Sequence, residues 1–169
     1  MRRDVVKFLF SLAAAASLTL TLPLSGCGFQ LRGQAALPFS AAFVSAPETS
    51  NVGNALRRTL SSQQKLASSQ EGAPILIKLE KEAYRKNILA LSGGGKVREF
   101  RLEYVIQLSV FDASGKALVE PTEILLSNDY SYSDEQVLAK EAEEASLNRS
   151  MEQDALRQIL RRLSYLKAP

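Results

Sequence analysis

The sequence has no histidine, no tryptophan and a single cysteine in 169 residues. Without histidine, a Ser-His-Asp triad, a Cys-His pair and a histidine-ligated metal site are all excluded. A single cysteine cannot form an internal disulfide. Carboxylate-pair or lysine-based chemistry stays open, but no acidic motif stands out for it. We therefore expect a protein that is not an enzyme and holds no cofactor.

The N-terminal stretch is typical of a secretory signal. Arg2, Arg3 and Lys7 precede an uncharged run at residues 8–22, and Pro23 and small residues follow it. A positive start, an apolar run and a small-residue cleavage site are the three parts of such a signal. The alternative is a transmembrane anchor, but 15 residues fall short of the ~20 that a spanning helix needs.

The signal ends in Leu24-Ser25-Gly26-Cys27, which resembles the lipobox of bacterial lipoproteins at all four positions. The resemblance implies that the signal is cleaved before Cys27. It also implies that lipid is attached to the Cys27 thiol and to the α-amino group that cleavage creates. Two or more acyl chains hold a protein stably at a membrane, whereas one does so only marginally. The alternative is that Cys27 is a buried small hydrophobe or a chance free thiol. A free thiol is a liability in an oxidising compartment. In this lipoprotein class, Gly28 after the cysteine is compatible with sorting to the outer membrane.

The remaining chain has the size of one domain. We expect a signal at residues 1–26, a lipid-anchored tether at 27–37 and a single domain at 38–169. Removal of the predicted signal removes three Lys/Arg and one Asp, so the mature chain has 18 basic and 17 acidic residues. Because no long basic stripe remains, we expect no nucleic-acid partner.

Hydrophobic periodicity predicts six elements in the order β-α-β-β-β-α. Alternating apolar residues predict strands at 39–45, 73–91, 98–111 and 122–132, and a charged stretch at 81–87 indicates a bulge or projecting end. Apolar residues that recur three and four positions apart predict helices at 52–66 and 133–163. Leu138, Ala142 and Ala145 are the expected buried face of the first half of the second helix. Ser133 and Gln136 have the spacing of a capping box.

Three consecutive hairpin-linked strands predict mainly antiparallel pairing. Two amphipathic helices can cover one face of a four-stranded sheet, so we predict an α+β two-layer sandwich with its other face partly polar and open. A phosphate-binding loop at residues 93–96 is disfavoured, because it lacks the Walker spacing and precedes a strand.

Three motifs resemble the LptE family of lipopolysaccharide-assembly lipoproteins, formerly called rare lipoprotein B. The first is the opening Cys27-Gly28-Phe29-Gln30-Leu31-Arg32-Gly33, close to the family pattern C-G-F-[HQ]-L-R-G. The others are Glu99-Phe100-Arg101-Leu102 after a glycine turn and Gln136-Val137-Leu138-Ala139-Lys140-Glu141 at the last helix. The element order and size also agree with the family.

The resemblance implies a Gram-negative outer-membrane protein, anchored by lipid at the periplasmic face. In the family, the protein plugs a large β-barrel partner, LptD, assists its assembly and binds lipopolysaccharide on its way to the outer leaflet. A different class stays open, namely a structural or scaffolding lipoprotein that contacts peptidoglycan or another assembly machine.

Four basic residues are the expected lipopolysaccharide-binding site. Lys140 matches the family's lysine in the last helix, whereas the family's hairpin arginine falls on Gly93 here. Lys96, Arg98 and Arg101 follow that turn and can supply the charge that pairs with phosphate. The alternatives are a solvated strand end for these three, and for Lys140 an exposed residue paired with a glutamate at i+3 or i+4. Tyr130 and Tyr132 are expected to pack in the core, with interface contact as the alternative.

Overall fold

The computed structural model describes residues 36–167. The predicted signal, Cys27 and most of the tether lie outside these residues. The described chain forms β1 (Ala42–Ser45), α1 (Asn51–Ser62), β2 (Ile75–Leu91), β3 (Val97–Asp112), β4 (Ala117–Ser131) and α2 (Val137–Ser164), with a 3-10 turn at Asp134–Gln136 before α2. This is the predicted β-α-β-β-β-α order.

The four strands form one sheet in the order β1-β2-β3-β4. β1 runs parallel to β2, because α1 carries the chain back between them, and the two hairpins that follow are antiparallel. Both helices contribute buried side chains to the single core cluster, which lies on one face of the sheet. The predicted α+β arrangement with a mainly antiparallel sheet is confirmed.

α1 begins at a serine cap and ends earlier than predicted. The Ser50 hydroxyl accepts a hydrogen bond from Gly53 N at 2.8 Å, which satisfies a free N–H of the first turn. Val52, Leu56 and Leu60 are buried, as their spacing predicts. The helix stops at Ser62 because Gln64 has a φ of 57°. Leu66, predicted as the last helical residue, instead bridges to Ala42 beside β1.

β3 is the central strand that its sequence predicts. Its side chains alternate between the helix-covered face and the outer face. Tyr104, Ile106 and Leu108 are fully buried on the covered face, whereas Phe100 is only partly buried. The strand pairs along its whole length with β2 on one side and β4 on the other. It therefore sets the registers of β2 and β4 relative to each other.

A bulge in β2 reverses which residues face the helices. Glu80 pairs with Gln107 and Ala83 with Val105, so β2 holds one extra residue there. Lys81 has a φ of 52°, a conformation that a non-glycine residue seldom adopts. Before the bulge, the odd-numbered residues face the core; after it, Tyr84 and Lys86 pair with Tyr104 and Leu102 and lie on the covered face. The bulge expected in the charged stretch is confirmed.

β4 is longer than predicted and contains a proline. It begins at Ala117, five residues before the expected start at Thr122, and passes through Pro121. A proline has no N–H for a sheet, so it is confined to edge strands and bulges. Both conditions hold here, since β4 is an edge strand and its pairing shifts between Thr122 and Val119.

α2 faces the sheet along a single stripe, and this corrects the predicted buried face of its first half. Leu138 is 82% exposed, and Ala142 and Ala145 are exposed as well. The residues turned inward recur every three or four positions and are, in order, Lys140, Glu144, Leu147, Met151, Ala155, Ile159 and Leu163. Because an α-helix repeats every 3.6 residues, the buried second half dictates the facing residues of the first half. Two of those are charged, so apolar content alone predicted the wrong stripe.

The cap of the last helix differs in detail from the predicted capping box. The Ser133 hydroxyl accepts from Glu135 N at 3.4 Å, and Gln136 N bonds to the Ser133 carbonyl. The α-helix proper begins one 3-10 turn later, at Val137. Within residues 36–167, neither helix contains an uncharged apolar stretch sufficient for a transmembrane span.

The bulge yields a stability prediction. We expect Lys81→Val to lower the free energy of unfolding by about 1–2 kcal/mol, because a β-branched residue is strained at positive φ. Lys81→Gly should match the wild type or exceed it slightly, since glycine adopts this conformation freely. Denaturant titration measures both values. Arg85→Val is the matched control in a regular part of β2, and equal stability of the two valine variants would contradict the assigned strain.

Candidate functional site

Two connections meet at one end of the domain, which we call the hairpin end. It comprises the β2–β3 turn at residues 92–96 and the β4–α2 connection at residues 132–136. Tyr132 N donates to the Arg98 carbonyl at 2.8 Å, and the Tyr132 ring contacts the Phe100 ring edge-on at 5.2 Å. These contacts hold the start of α2 beside the hairpin.

The β2–β3 turn displays Lys96. Gly95 N donates to the Ser92 carbonyl at 2.9 Å, and Lys96 N donates to the Ser92 hydroxyl at 3.1 Å. Gly95 has a φ of 76°, which only glycine adopts without strain. The Lys96 side chain is 78% exposed and lies 3.8 Å from an Asp134 oxygen. Such an exposed pair contributes little stability, so the ammonium group is available to another anion.

Lys140 lies on the sheet-facing stripe of α2. Its side chain is only 15% exposed, and its Nζ donates to Glu143 Oε2 at 2.9 Å and to Ser131 Oγ at 3.2 Å. The pairing with Glu143 is the i+3 contact named as an alternative above. The second contact ties the first turn of α2 to the end of β4.

A polar cluster fastens the first half of α2 to the sheet. Lys86 Nζ lies 2.6 Å from Glu144 Oε2, and the Tyr130 hydroxyl donates to the same oxygen at 2.7 Å. Lys86 also lies over the Phe100 ring, 4.3 Å from its centroid, and 5.8 Å from that of Tyr130. Tyr130 is buried, so its predicted core packing is confirmed.

The charges in this cluster stabilise one another. Burial alone would raise the pKa of Glu144, but hydrogen bonds from Lys86 and Tyr130 bring it below its usual range. Burial would likewise lower the pKa of Lys86, yet Glu144 and Tyr130 raise it. Both groups are therefore charged across the physiological range.

Two more tyrosines extend the polar layer between α2 and the sheet. The Tyr84 hydroxyl donates to Glu152 Oε1 at 2.6 Å, and Tyr104 donates to Glu82 Oε1 at 2.6 Å. Their rings lie 4.8 Å apart. Burial and the facing carboxylates raise the pKa of both phenols, which makes them donors at all ordinary pH values.

Arg101 is separated from this layer. It pairs with Asp129 across β3 and β4, on the face of the sheet opposite to Leu102. Its guanidinium makes two hydrogen bonds to the Asp129 carboxylate, at 2.7 and 2.8 Å, and these lower the pKa of Asp129. Arg98 is exposed and occupies a bulge in β3. Its neighbours Val97 and Glu99 pair with Leu91 and Ala90, which are consecutive in β2, so Arg98 itself has no partner in that strand.

The hairpin end also exposes large apolar side chains. Ile88 and Leu91 near the end of β2 are each 57% exposed. Val137 and Leu138, the first two residues of α2, are also exposed to solvent. Ile88 and Leu91 precede the turn that carries Lys96, and Val137 and Leu138 lie on the helix that carries Lys140. Cationic and apolar side chains are thus displayed together at this end.

The structure groups the predicted basic residues only in part. Lys96, Arg98 and Lys140 lie at or beside the hairpin end, whereas Arg101 lies farther along β3, in an ion pair on the outer face of the sheet. Sequence reasoning missed Lys86 and Glu144, because the bulge at Lys81 decides which face Lys86 occupies. The helical repeat counted back from Met151 would have found Glu144.

Within residues 36–167, no group of three or more acidic, cysteine or histidine side chains could hold a metal ion. The candidate site is a surface of charged, aromatic and apolar side chains. Such a surface can offer cationic and apolar groups to one ligand.

Solved structures share this architecture. The solution structure of an uncharacterized lipoprotein B from Nitrosomonas europaea is 38% identical, with a TM-score of 0.70, and the match covers 81% of this chain and 90% of that one. Rare lipoprotein B from Shewanella oneidensis is 21% identical with a TM-score of 0.64, covering 73% of this chain and 93% of that one. A minor lipoprotein from Acinetobacter baumannii is 20% identical with a TM-score of 0.60, covering 76% and 93%. No curated protein sequence matches the chain.

The fold and these relatives define a small α+β lipoprotein of the bacterial envelope. The family model of LptE, described as lipopolysaccharide-assembly, matches residues 40–163, well over half of the chain. The chain belongs to the LptE family, whose members are lipoproteins without enzymatic activity that serve lipopolysaccharide assembly.

The cluster on α2 yields a coupling prediction. We expect Lys86→Met and Glu144→Gln each to lower the free energy of unfolding by about 1 kcal/mol, because both partners are partly solvated. The double variant should lose less than the sum, since the second change removes a bond already broken. Because the pKa of Glu144 is depressed, the stabilisation is present above its usual value and is lost as the pH falls below about 4.5.

Denaturant titration of the four proteins at neutral and acidic pH measures this coupling. Arg85→Met, from the same strand, is the control and should leave stability nearly unchanged. Strictly additive losses at neutral pH would show that Lys86 and Glu144 do not interact.

Proposed function

We propose that this protein is an outer-membrane lipoprotein, lipidated at Cys27 and facing the periplasm. It binds lipopolysaccharide at the hairpin end, and it plugs a large LptD-like β-barrel and assists the barrel's assembly. Membership of the LptE family supports both parts. The predicted lipobox, which lies outside the described residues, supports the anchor.

The observation that carries the binding proposal is the composition of the hairpin end. Lys96 and Arg98 are exposed there, close along the chain to exposed Leu91, and α2 adds Leu138. Lipid A combines phosphates with acyl chains, so a surface with cations beside apolar side chains suits it. An amphipathic ligand would satisfy both kinds of group at once.

Lys96 and Lys140 differ in how they would engage phosphate. Lys96 needs only to exchange its weak contact with Asp134. Lys140 is held by Glu143 and Ser131, and a phosphate would replace one of them as acceptor. Lysine makes strong charge-assisted hydrogen bonds to phosphate, so both exchanges are favourable when the ligand also buries apolar surface.

Arg101 stands at the margin of the proposed site. It would have to give up two short hydrogen bonds to Asp129 and would act from the outer face. Arg98 is the better arginine, since it occupies the bulge beside the turn. We therefore expect Arg101 to contribute less than the other three residues.

The outer face of the sheet suits the lumen of a barrel. It carries Glu103, Gln107, Glu123 and the Arg101–Asp129 pair, with Leu125 as an exposed apolar residue. Barrel interiors are polar, so a polar plug surface is compatible with one. With about 40 Å along α2, the domain can extend through much of a membrane's thickness.

The binding proposal predicts a loss of affinity on charge reversal. We expect Lys96→Asp combined with Lys140→Asp to weaken lipopolysaccharide binding by on the order of tenfold or more, because two charge-assisted contacts become repulsive. Displacement of fluorescent lipopolysaccharide from the mature protein measures it, and circular dichroism confirms folding. Arg58→Asp with Arg149→Asp is the control with the same charge change away from the hairpin end. Unchanged affinity in the folded first variant would remove these lysines from the site.

The plug proposal predicts a stoichiometric partner. A tagged copy, purified from detergent-solubilised envelopes, should retain one large β-barrel protein in near-equal amount. Absence of such a protein would contradict the plug. Binding to isolated sacculi, with normal surface lipopolysaccharide after depletion, would instead support the scaffolding alternative.

A further inference from the structure

The opposite end of the domain, which we call the entry end, carries a separate basic surface. It comprises residues 36–42, where the described chain enters the sheet, the β3–β4 turn at 112–117, and the last residues of α2 and beyond at 162–167. Ala42 pairs with Ile75, and Ile75 with Asp112, so these segments share one end of the sheet. The hairpin end lies at the other end of α2, about 40 Å away.

An open cavity of about 730 Å³ lies at this end, between the β3–β4 turn and the end of α2. Lys116, Arg162 and Lys167 line it, together with Tyr165 and Leu166. Tyr165 is 80% exposed although it is a large aromatic residue. The lining thus combines three cations with an exposed ring and an aliphatic side chain.

The positive charge of this cavity is only partly neutralised within it. Asp112 is the one acidic residue among the described residues that line it. Its Oδ1 already accepts from Ser114 N at 2.8 Å, Ser114 Oγ at 2.6 Å and Lys116 N at 3.0 Å. Asp112 is therefore bound mainly by its own turn, where the charge of Lys116 also helps to lower its pKa, and its single negative charge offsets at most one of the three cations.

The helix dipole explains only part of this charge. Arginines in the last turn of a helix offset its negative end, which accounts for Arg161 and Arg162. Lys116 belongs to the β3–β4 turn, and Lys167 follows the helix. Their convergence on one cavity with Arg162 needs another explanation.

The predicted anchor brings this end close to a membrane. Nine residue steps separate Cys27 from Ala36, which limits the span between them to about 30 Å. Lipid on Cys27 would thus keep the entry end within reach of the headgroups, whereas the hairpin end lies farther along the domain. Lysine and arginine near an anionic leaflet are attracted to it, and tyrosine favours the membrane–water interface.

We propose that Lys116, Arg162 and Lys167 bind anionic phospholipid headgroups of the membrane that holds the anchor. Tyr165 and Leu166 lie at the interface beside them. This contact orients the anchored domain with its hairpin end directed away from that leaflet. The proposal rests on the lipid anchor of the proposed function, but not on lipopolysaccharide binding or on a barrel partner.

Fluorescence energy transfer in vesicles tests the contact. The mature lipidated protein carries a donor at Ala113→Cys, in the β3–β4 turn, or at Gly94→Cys, in the β2–β3 turn. Its own cysteine is blocked by lipid. Acceptors label the headgroups of vesicles made of phosphatidylcholine alone or mixed with phosphatidylglycerol. We expect stronger transfer from position 113 than from position 94, an increase with phosphatidylglycerol, and loss of that increase at high salt.

Charge removal provides the decisive comparison. Lys116→Gln, Arg162→Gln and Lys167→Gln together should abolish the increase, since each charge near such a surface contributes roughly a fivefold gain and three contribute on the order of a hundredfold. Arg58→Gln, Arg85→Gln and Arg149→Gln together are the matched control and should retain it. Equal transfer with and without phosphatidylglycerol, or an increase that appears only after lipopolysaccharide is added, would overturn the proposal.

Vesicle flotation separates this contact from the anchor. All variants should float, because the lipid on Cys27 holds them regardless of charge. Failure of the wild type to float would overturn the anchor and this proposal with it. Flotation with no response to the three substitutions would overturn the headgroup contact alone.

Discussion

The domain depends on how one helix crosses the sheet. The inward stripe of α2 is apolar in its second half, where Met151, Ile159 and Leu163 are fully buried. Burial of such side chains stabilises a fold by roughly 1.5–3 kcal/mol each. The first half faces the sheet with Lys140 and Glu144, whose contacts are hydrogen bonds and an ion pair of about 1 kcal/mol, and Leu147 adds partly buried apolar packing before the second half begins. The helix is therefore anchored firmly at the entry end and lightly at the hairpin end.

The exposed apolar residues lie at the lightly anchored end. Ile88 and Leu91 remain in solvent there, where α2 is held to β2 by the Lys86–Glu144 ion pair. The bulge at Lys81 makes the arrangement possible, since it turns Lys86 toward Glu144. Local charge pairing, a strand irregularity and an uncovered apolar surface are thus parts of one arrangement, and that surface is where we place the ligand.

The sequence predicts the fold well where one pattern is unambiguous. The alternation from Phe100 to Val110 predicts the central strand, and three strands in succession predict the antiparallel hairpins. Prediction fails where two constraints compete. Leu138 is apolar but lies off the stripe set by Met151 and Leu163, and Pro121 ends a strand by propensity but is tolerated at an edge bulge. For the site, Lys140 follows from resemblance and Lys96 from its position just after the glycine turn. Lys86 and the pairing of Arg101 depend on register, which no local pattern contains.

In the proposed function, the exposed apolar residues of the hairpin end contact lipopolysaccharide. A photocrosslinking residue in place of Ile88 tests it directly in living cells, and the same residue in place of Leu125 is a matched control. The two side chains are equally accessible, at 57% and 55%, but lie on opposite faces of the sheet. Ligand contact at the hairpin end predicts crosslinks to lipopolysaccharide from position 88 and none from position 125. Equal crosslinking from both positions, or crosslinking from 125 alone, would contradict it.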